Sequence, residues 1–291
     1  MEKTNESVKT ESIRMEDQPI YTYTVDDANT ISISCGNIKI GKMLNWSTLP
    51  GNADNPLIAK GRRITNVEGT CTHNCNGCFK NCYARRSILQ HHNSVAGPWA
   101  INTLMIRYKF DECFRKIDEV IREKNKKFYS SGNISDLQYR FFRINVAGEL
   151  QSLKEFEAWN QLAQNHPAIK FGIYSKNSPV LLEFFKKHGQ TAANLCVNIS
   201  EWHDTMKDTI ANLKAIGAVF NVFEYDDSNL SSCELSDETK QILAATPHCP
   251  AVGPTQVNRH PINPATGETW RCCECKACYT KTGSRRCVYS H

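Results

Sequence analysis

The chain has 291 residues, of which 40% are hydrophobic, and carries a formal net charge of +5. It is long and apolar enough for one large α/β domain or two small ones, which excludes a disordered protein. The charge is compatible with nucleic acid, phosphate or an anionic cofactor but is too small to require any of them. Neither an apolar stretch of the roughly 20 residues that cross a bilayer nor a signal peptide is present, so we expect a cytoplasmic protein without a membrane partner.

The chain begins with two segments of different composition. Residues 1–18 have almost no apolar content and are predicted to form a disordered tail. Residues 19–60 are predicted to form a β-rich N-terminal addition, because apolar and polar residues alternate in YTYTV, TISISC and NIKIG between turn-forming residues.

Residues 61–246 alternate between strand and helix patterns. A strand at 62–68 is expected to lead into a cysteine loop, followed by a helix at 84–92 and one or two helices over 98–127. Further strands are predicted at 141–147, 169–174, 194–199 and 218–225, separated by helices at 153–164, 179–188 and 205–216, with a short helix near 236–244. This order predicts parallel strands joined by helical crossovers, either in an open sheet or in part of a barrel.

Ten of the fourteen cysteines fall in two groups. The first cysteine group comprises Cys71, Cys75, Cys78 and Cys82. The C-terminal cysteine group lies in residues 247–291, a predicted metal-binding tail, and comprises Cys249, Cys272, Cys273, Cys275, Cys278 and Cys287. Closely spaced thiols in a reducing compartment favour metal binding over disulfides.

The first cysteine group contains the spacing C-x3-C-x2-C. Three thiolates so spaced can hold three irons of a cubane and leave the fourth iron open. Cys71, Cys75 and Cys78 thus resemble the motif of the radical S-adenosylmethionine superfamily, although Gly77 stands where that superfamily usually has an aromatic residue. The resemblance implies a 4Fe-4S cluster that binds S-adenosylmethionine and generates a 5′-deoxyadenosyl radical. Alternatively, Cys82 is a fourth ligand, and the site is closed around structural zinc or a redox cluster.

A second resemblance covers roughly residues 60–280. The segments CYARR, RINVAGELQSLKEFEAWNQLAQNHPAIKFGIYSK and the terminal C-x2-C are similar to a phage protein family, gene product 88. The two resemblances together imply an α/β fold, an incomplete TIM-type (β/α) barrel. They also imply an enzyme with an unidentified substrate and an electron donor such as flavodoxin or ferredoxin.

Polar residues follow the predicted strands, where a parallel barrel has its ligand site. Gly148-Glu149 resembles the Gly-Gly-Glu segment of the superfamily, with Ala147 in place of one glycine. The predicted cofactor-binding residues are Gly148, Glu149, Ser175, Lys176 and Asn198. The alternatives are structural: a solvated loop carboxylate for Glu149, and helix N-caps for Ser152, Ser178 and Ser200. Arg143, inside an apolar strand, is either buried with a partner or at an exposed edge.

The C-terminal cysteine group supplies enough thiols for a second centre. Cys249, Cys272, Cys275 and Cys278 are the predicted ligands of an auxiliary iron-sulfur cluster or zinc, with Cys273 and Cys287 as alternates. A structural role is the alternative, because a tail with little core gains folding free energy from any bound metal. The basic tail also resembles a small nucleic-acid module, which leaves a non-catalytic zinc-binding phage-type protein as the alternative function.

Overall fold

The computed structural model describes residues 17–37, 40–73, 76–203, 205–226, 237–250 and 261–289. Its strands are β1 (Ser34–Asn37), β2 (Gly41–Asn45), β3 (Ile58–Ala59), β4 (Arg62–Arg63), β5 (Phe141–Ile144), β6 (Lys170–Ser175), β7 (Leu195–Glu201), β8 (Asn221–Asp226) and β9 (Arg285–Tyr289). Its helices are α1 (Asn76–Lys80), α2 (Tyr83–Tyr108), α3 (Phe110–Lys124), α4 (Lys126–Ser131), α5 (Leu153–Asn165), α6 (Ser178–His188), α7 (Lys207–Ala215), α8 (Asp237–Ala245) and α9 (Cys272–Cys275).

Seven strands form one mixed sheet in the order β1-β2-β5-β6-β7-β8-β9. Strand β1 is antiparallel to β2, and all other neighbours in this sheet are parallel. Within the described part of the chain the sheet does not close into a barrel, because β1 and β9 form its two edges. The architecture is therefore mixed α/β with a mostly parallel sheet, as the strand and helix order predicted.

The two faces of the sheet have different coverings. The face that we call the helical face carries apolar side chains such as Phe142, Ile173 and Val197, which pack with the helices into the main core. The opposite face carries Met43 and Phe223, which pack with residues of the C-terminal segment in a smaller cluster. We call this second face the tail face. Both faces of the parallel strands are thus buried, which explains their continuous apolar sequences.

Most predicted elements of the α/β region are present with small shifts in their ends. The predicted helix at 153–164 is α5, and the strands predicted at 169–174 and 194–199 are β6 and β7. Ser152 caps α5 as predicted, its side chain accepting a hydrogen bond from the backbone of Glu155. The cap of α6 is instead Asn177, whereas Ser200 lies inside β7 and caps no helix.

Several other predictions are corrected by the sheet. The strand predicted at 62–68 is reduced to β4, which pairs only with β3, and the strand of the main sheet before the cysteine loop is β2. The exposed-edge alternative for Arg143 is wrong, because β5 pairs with β2 on one side and β6 on the other. The C-terminal segment contributes β9, a strand that the sequence pattern did not predict.

None of the helices in the described part of the chain has the length and apolar character needed to span a bilayer.

Candidate metal centre at the carboxyl edge of the sheet

The start of the cysteine loop is tied to the segment that follows β2. The backbone N–H of Thr70 donates to the carbonyl of Leu49, and that of Cys71 donates to the carbonyl of Gly51, each at 2.9 Å. Because β2 is parallel to β5, its carboxyl end lies at the same edge as the ends of the other parallel strands. The loop is therefore held at the edge where the sequence placed the candidate ligand residues.

Lys176, the first residue after β6, connects this edge with Cys78. Its Nζ lies 2.7 Å from Sγ of Cys78, and its backbone N–H donates to Oε2 of Glu149 at 2.8 Å. Burial alone would lower the pKa of Lys176, but the Cys78 thiol and the Glu149 carboxylate raise it. The ammonium group is thus retained at the sulfur, where it stabilises negative charge.

Glu149 joins the ends of β5 and β6. Its Oε1 accepts a hydrogen bond from the backbone N–H of Leu150 at 2.9 Å, and its Oε2 accepts the one from Lys176. Burial raises the pKa of Glu149, although Lys176 and a hydrogen bond from Ser175 act in the opposite direction. With 7% exposure, Glu149 is not the solvated loop carboxylate of the alternative interpretation.

Gly148 makes a close backbone approach, but to the chain itself. Its φ is +82°, and an added Cβ would lie 1.9 Å from Oγ1 of Thr48 and 2.6 Å from Oγ1 of Thr70. The two threonine hydroxyls are 2.9 Å apart, and that of Thr70 accepts the backbone N–H of Glu149 at 2.8 Å. A glycine is required here because any side chain would separate β5 from the cysteine loop.

Three thiols of the first cysteine group lie in one electrostatic neighbourhood. Burial raises the pKa of Cys71, Glu149 and Cys82 raise it further, and Lys176 lowers it. Burial also raises the pKa of Cys82, on which Cys78 and Lys176 act as well. Cys75 lies outside the described residues. Among those that are described, no group of three or more His, Cys, Asp or Glu side chains is arranged to hold a metal ion.

An aromatic pair packs against the cysteine loop. An added Cβ on Gly77 would lie 2.4 Å from Nε1 of Trp202, which follows β7. The Trp202 ring stacks on Tyr225 with centroids 3.9 Å apart and an interplanar angle of 22°. The aromatic group beside Gly77 is therefore supplied by the end of β7. The spacing of the cysteines gives no signal of this contact.

The C-terminal segment is bound to the tail face by two buried asparagines. Asn198 donates from Nδ2 to the carbonyl of Cys278 at 3.0 Å. Asn221 donates from Nδ2 to the carbonyls of Ala277 and Thr280, each at 3.1 Å. Asn198, predicted to bind a cofactor, thus binds the backbone of the tail in this structure.

Three thiols of the C-terminal cysteine group lie near one another on this face. Burial raises the pKa of Cys278, Cys272 and Cys249 raise it further, and a hydrogen bond from Tyr174 lowers it. Arg143 also acts on Cys278 and lies over the Tyr174 ring. The chain therefore assembles thiols from two distant segments beside a guanidinium group.

The remaining C-terminal thiols occupy different places. Cys275 is partly buried on α9, one helical turn after Cys272. Sγ of Cys273 lies 2.6 Å from the position of an added Cβ on Gly41. Cys287 is buried in β9, with its Sγ 3.9 Å from the carbonyl of Leu243.

Sequence reasoning missed several residues that build these sites. Thr48 and Thr70 give no signal, because they come together only when β2 and the cysteine loop meet. Asn221 carries a weak signal, since it is an amide between apolar residues in the strand predicted at 218–225.

The fold and the two thiol assemblies define a class of α/β protein with cysteine groups at the carboxyl edge and on the tail face of a mostly parallel sheet. A family model, gene product 88, matches residues 33–286. The chain belongs to the gene product 88 family. No curated protein and no solved structure matches it significantly.

Proposed function

We propose that the protein is an iron-sulfur enzyme of the radical S-adenosylmethionine type, with a 4Fe-4S cluster on Cys71, Cys75 and Cys78. The observation that carries the proposal is the 2.7 Å contact between Nζ of Lys176 and Sγ of Cys78. It brings the cysteine loop against the end of β6, at the edge where a parallel α/β fold binds its ligands. In this proposal the open sheet is an incomplete barrel.

The donor set fits such a group by its chemistry. Thiolates are the usual ligands of iron-sulfur clusters, and hydrogen bonds to their sulfurs tune the reduction potential. Bound there, the cluster and S-adenosylmethionine would supply one-electron chemistry through a 5′-deoxyadenosyl radical. An electron donor such as flavodoxin or ferredoxin would then be a partner.

The chain's own residues have defined tasks in this proposal. Lys176 offsets the negative charge of the sulfur, and Glu149 holds the backbone of Lys176 in place through its Oε2. Ser175 and Gly148 support the carboxylate and its close packing against the loop. Asn198 fixes the C-terminal segment, whose thiols Cys249, Cys272, Cys275 and Cys278 we assign to a second metal centre, either iron-sulfur or zinc.

One observation favours a second candidate, a closed metal site without radical chemistry. Cys82 acts electrostatically on Cys71 and is itself influenced by Cys78, so it belongs to the same neighbourhood of thiols and is the candidate for a fourth ligand. Four thiolates would suit structural zinc. The protein would then be a non-catalytic zinc-binding protein.

Metal analysis separates the two candidates. Anaerobically purified protein is analysed for iron, sulfide and zinc, and then for binding of S-adenosylmethionine and release of 5′-deoxyadenosine after reduction. The radical proposal expects iron and sulfide, with loss of iron from the first centre in Cys78→Ala and retention in Cys82→Ala. The exposed Cys35 provides the control variant Cys35→Ala, which should match wild type.

Zinc without sulfide would contradict the radical proposal and support the closed site, as would loss of the metal in Cys82→Ala. Lys176→Met tests the contact that carries the proposal. A charge-assisted hydrogen bond contributes about 1.5–3 kcal/mol, so metal retention against a chelator should weaken by about tenfold to a hundredfold. Unchanged metal retention would show that Lys176 does not contribute to metal binding at the first cysteine group.

A further inference from the structure

Arg143 places a cation on the tail face of the sheet, between the two cysteine groups. It lies on β5, which is enclosed by β2 and β6. Its guanidinium carbon is 4.5 Å from the ring centroid of Tyr174, a residue of β6 that also packs on the tail face. At this distance the guanidinium makes a cation–π contact with the ring, and such a contact does not use its N–H donors.

Among the residues that the structure describes, no carboxylate is paired with Arg143. Its electrostatic neighbours include Tyr174, Tyr83, Tyr279 and the thiols of Cys272 and Cys278. In the part of the chain that the structure describes, its buried Nε has no hydrogen-bond partner. A largely enclosed cation without a counter-ion is unfavourable unless an anion joins it.

The site is adjacent to the first cysteine group. Tyr83 directly follows Cys82 and is 38% exposed. Both Arg143 and Lys176 act electrostatically on Tyr83, so the two cations approach the same region from neighbouring strands. A ligand entering beside Tyr83 would therefore meet Arg143 close to the proposed cluster.

We propose that Arg143 binds an oxyanion of the substrate, a carboxylate or a phosphate, on the tail face between the two cysteine groups. A carboxylate and a phosphate each present two oxygens that match the two parallel N–H donors of a guanidinium. Arg143 is then a specificity-determining residue, and the substrate class is anionic. That the anion belongs to a substrate rests on the proposed function, whereas the anion site itself does not.

The alternative partner of Arg143 is a group of the protein itself. If Cys272 and its neighbours carry the negative charge of a metal centre, Arg143 is their counter-ion and no external anion is needed. The two cases differ in what happens when Arg143 is replaced. Loss of an anion site changes anion affinity, whereas loss of a counter-ion changes the metal content of the tail.

Anion titrations at constant ionic strength test the proposal on the full-length protein with its metals. Sodium phosphate and sodium malonate are compared with sodium chloride by thermal unfolding in wild type, Arg143→Gln, Arg143→Lys and Arg140→Gln. Arg140 precedes the same strand and is exposed, so Arg140→Gln controls for the loss of a positive charge. Because phosphate stabilises many proteins without a specific site, the relevant quantity is the difference between variants.

We expect phosphate or malonate to stabilise wild type and Arg140→Gln with the same midpoint concentration. The midpoint should rise about tenfold to a hundredfold in Arg143→Gln, through loss of the charge-assisted hydrogen bonds. Arg143→Lys keeps the charge without the paired donors and should fall between them, which preserves the test if Arg143→Gln does not fold. A response to phosphate alone or malonate alone identifies the oxyanion.

Equal midpoints in wild type and both Arg143 variants would overturn the proposal. Loss of metal in Arg143→Gln without any change in anion response would also overturn it. Arg143 would then be the counter-ion of a metal centre in the tail. A protein that contains zinc alone but shows the Arg143-dependent anion response would contradict the radical function and leave the anion site intact.

Discussion

The helical face of the sheet is covered by apolar side chains from long helices, whereas the tail face is covered by a short C-terminal segment rich in cysteine. On the helical face, Trp159 packs edge-on against Phe114 with centroids 4.8 Å apart. On the tail face, contact depends on asparagine amides, tyrosines and a glycine that admits the Tyr279 ring. Both faces thus bury apolar side chains, and the tail face depends in addition on specific polar contacts.

The comparison separates stability from function. Apolar burial scales with area and tolerates many sequences, whereas buried amides and a guanidinium require specific partners. Arg143 and the Cys278 thiol lie on the tail face, and Lys176 and the Cys78 thiol lie at the carboxyl edge. Substitutions on the two faces should therefore differ in how much they lower the free energy of unfolding and in how much of the chain they affect.

The largest effect is expected from truncation in the core of the helical face. Trp159 is fully buried among Trp46, Phe114 and Phe142. Trp159→Ala should lower the free energy of unfolding by about 3–5 kcal/mol, measured by denaturant titration. The exposed Tyr108 supplies a control, and a similar loss in Tyr108→Ala would contradict the assignment.

A smaller and more local effect is expected on the tail face. Asn221→Ala would leave the carbonyls of Ala277 and Thr280 without this donor and should cost about 1–3 kcal/mol. Hydrogen exchange should show faster opening of residues 277–283, with helix α5 unchanged. Uniform acceleration over both faces would show that the tail is part of the main core.

A capping substitution tests local specification on the helical face. Ser152 accepts a hydrogen bond from the backbone N–H of Glu155 at 3.2 Å. Ser152→Ala should cost about 1 kcal/mol by the loss of this cap, whereas Ser152→Asp should keep most of it. Equal unfolding midpoints for wild type and Ser152→Ala would show that packing alone determines the start of α5.

The smallest effect concerns pH and a histidine on the helical side. Burial lowers the pKa of His166 below its ordinary value of 6.5, although its contact with Asp118 acts in the opposite direction. The unfolded chain then binds more protons near and below pH 6.5, so this contribution to stability is present above 6.5 and is lost as the pH falls.

Glu155 contributes with the opposite sign. Burial raises its pKa to about 7, so its contribution is lost as the pH rises toward 7. The His166 contribution is therefore measured as the difference between unfolding profiles of wild type and His166→Asn. That difference should shrink as the pH falls below 6.5, and a constant difference would contradict the prediction.

The sequence predicted the α/β alternation well because each element carries its own apolar period. Helix α5 and strands β6 and β7 were recognisable from their residues alone. Residues 19–60 and the C-terminal segment were harder, since β2 and β9 join a sheet whose other members lie far away in the chain. Their partners could not be read from local pattern.

The candidate site was predictable in residue type and only partly in geometry. The spacing of the first cysteine group and the positions of Glu149 and Lys176 after strands pointed to the carboxyl edge. The contact between Lys176 and Cys78, and the threonine pair beneath Gly148, depend on how three separate segments meet.

The amino-acid sequence by itself determined the alternation of strands and helices in the α/β region, the thiols available as ligands and the family to which the chain belongs. Those properties follow from local periodicity, spacing and residue chemistry. Only the tertiary structure decided that the tail covers one face of the sheet and that Arg143 lies there without a carboxylate in the described part of the chain. The reason is physical, because parallel strands bring together side chains that are distant in sequence, and burial then makes each unpaired charge or amide depend on its particular neighbours.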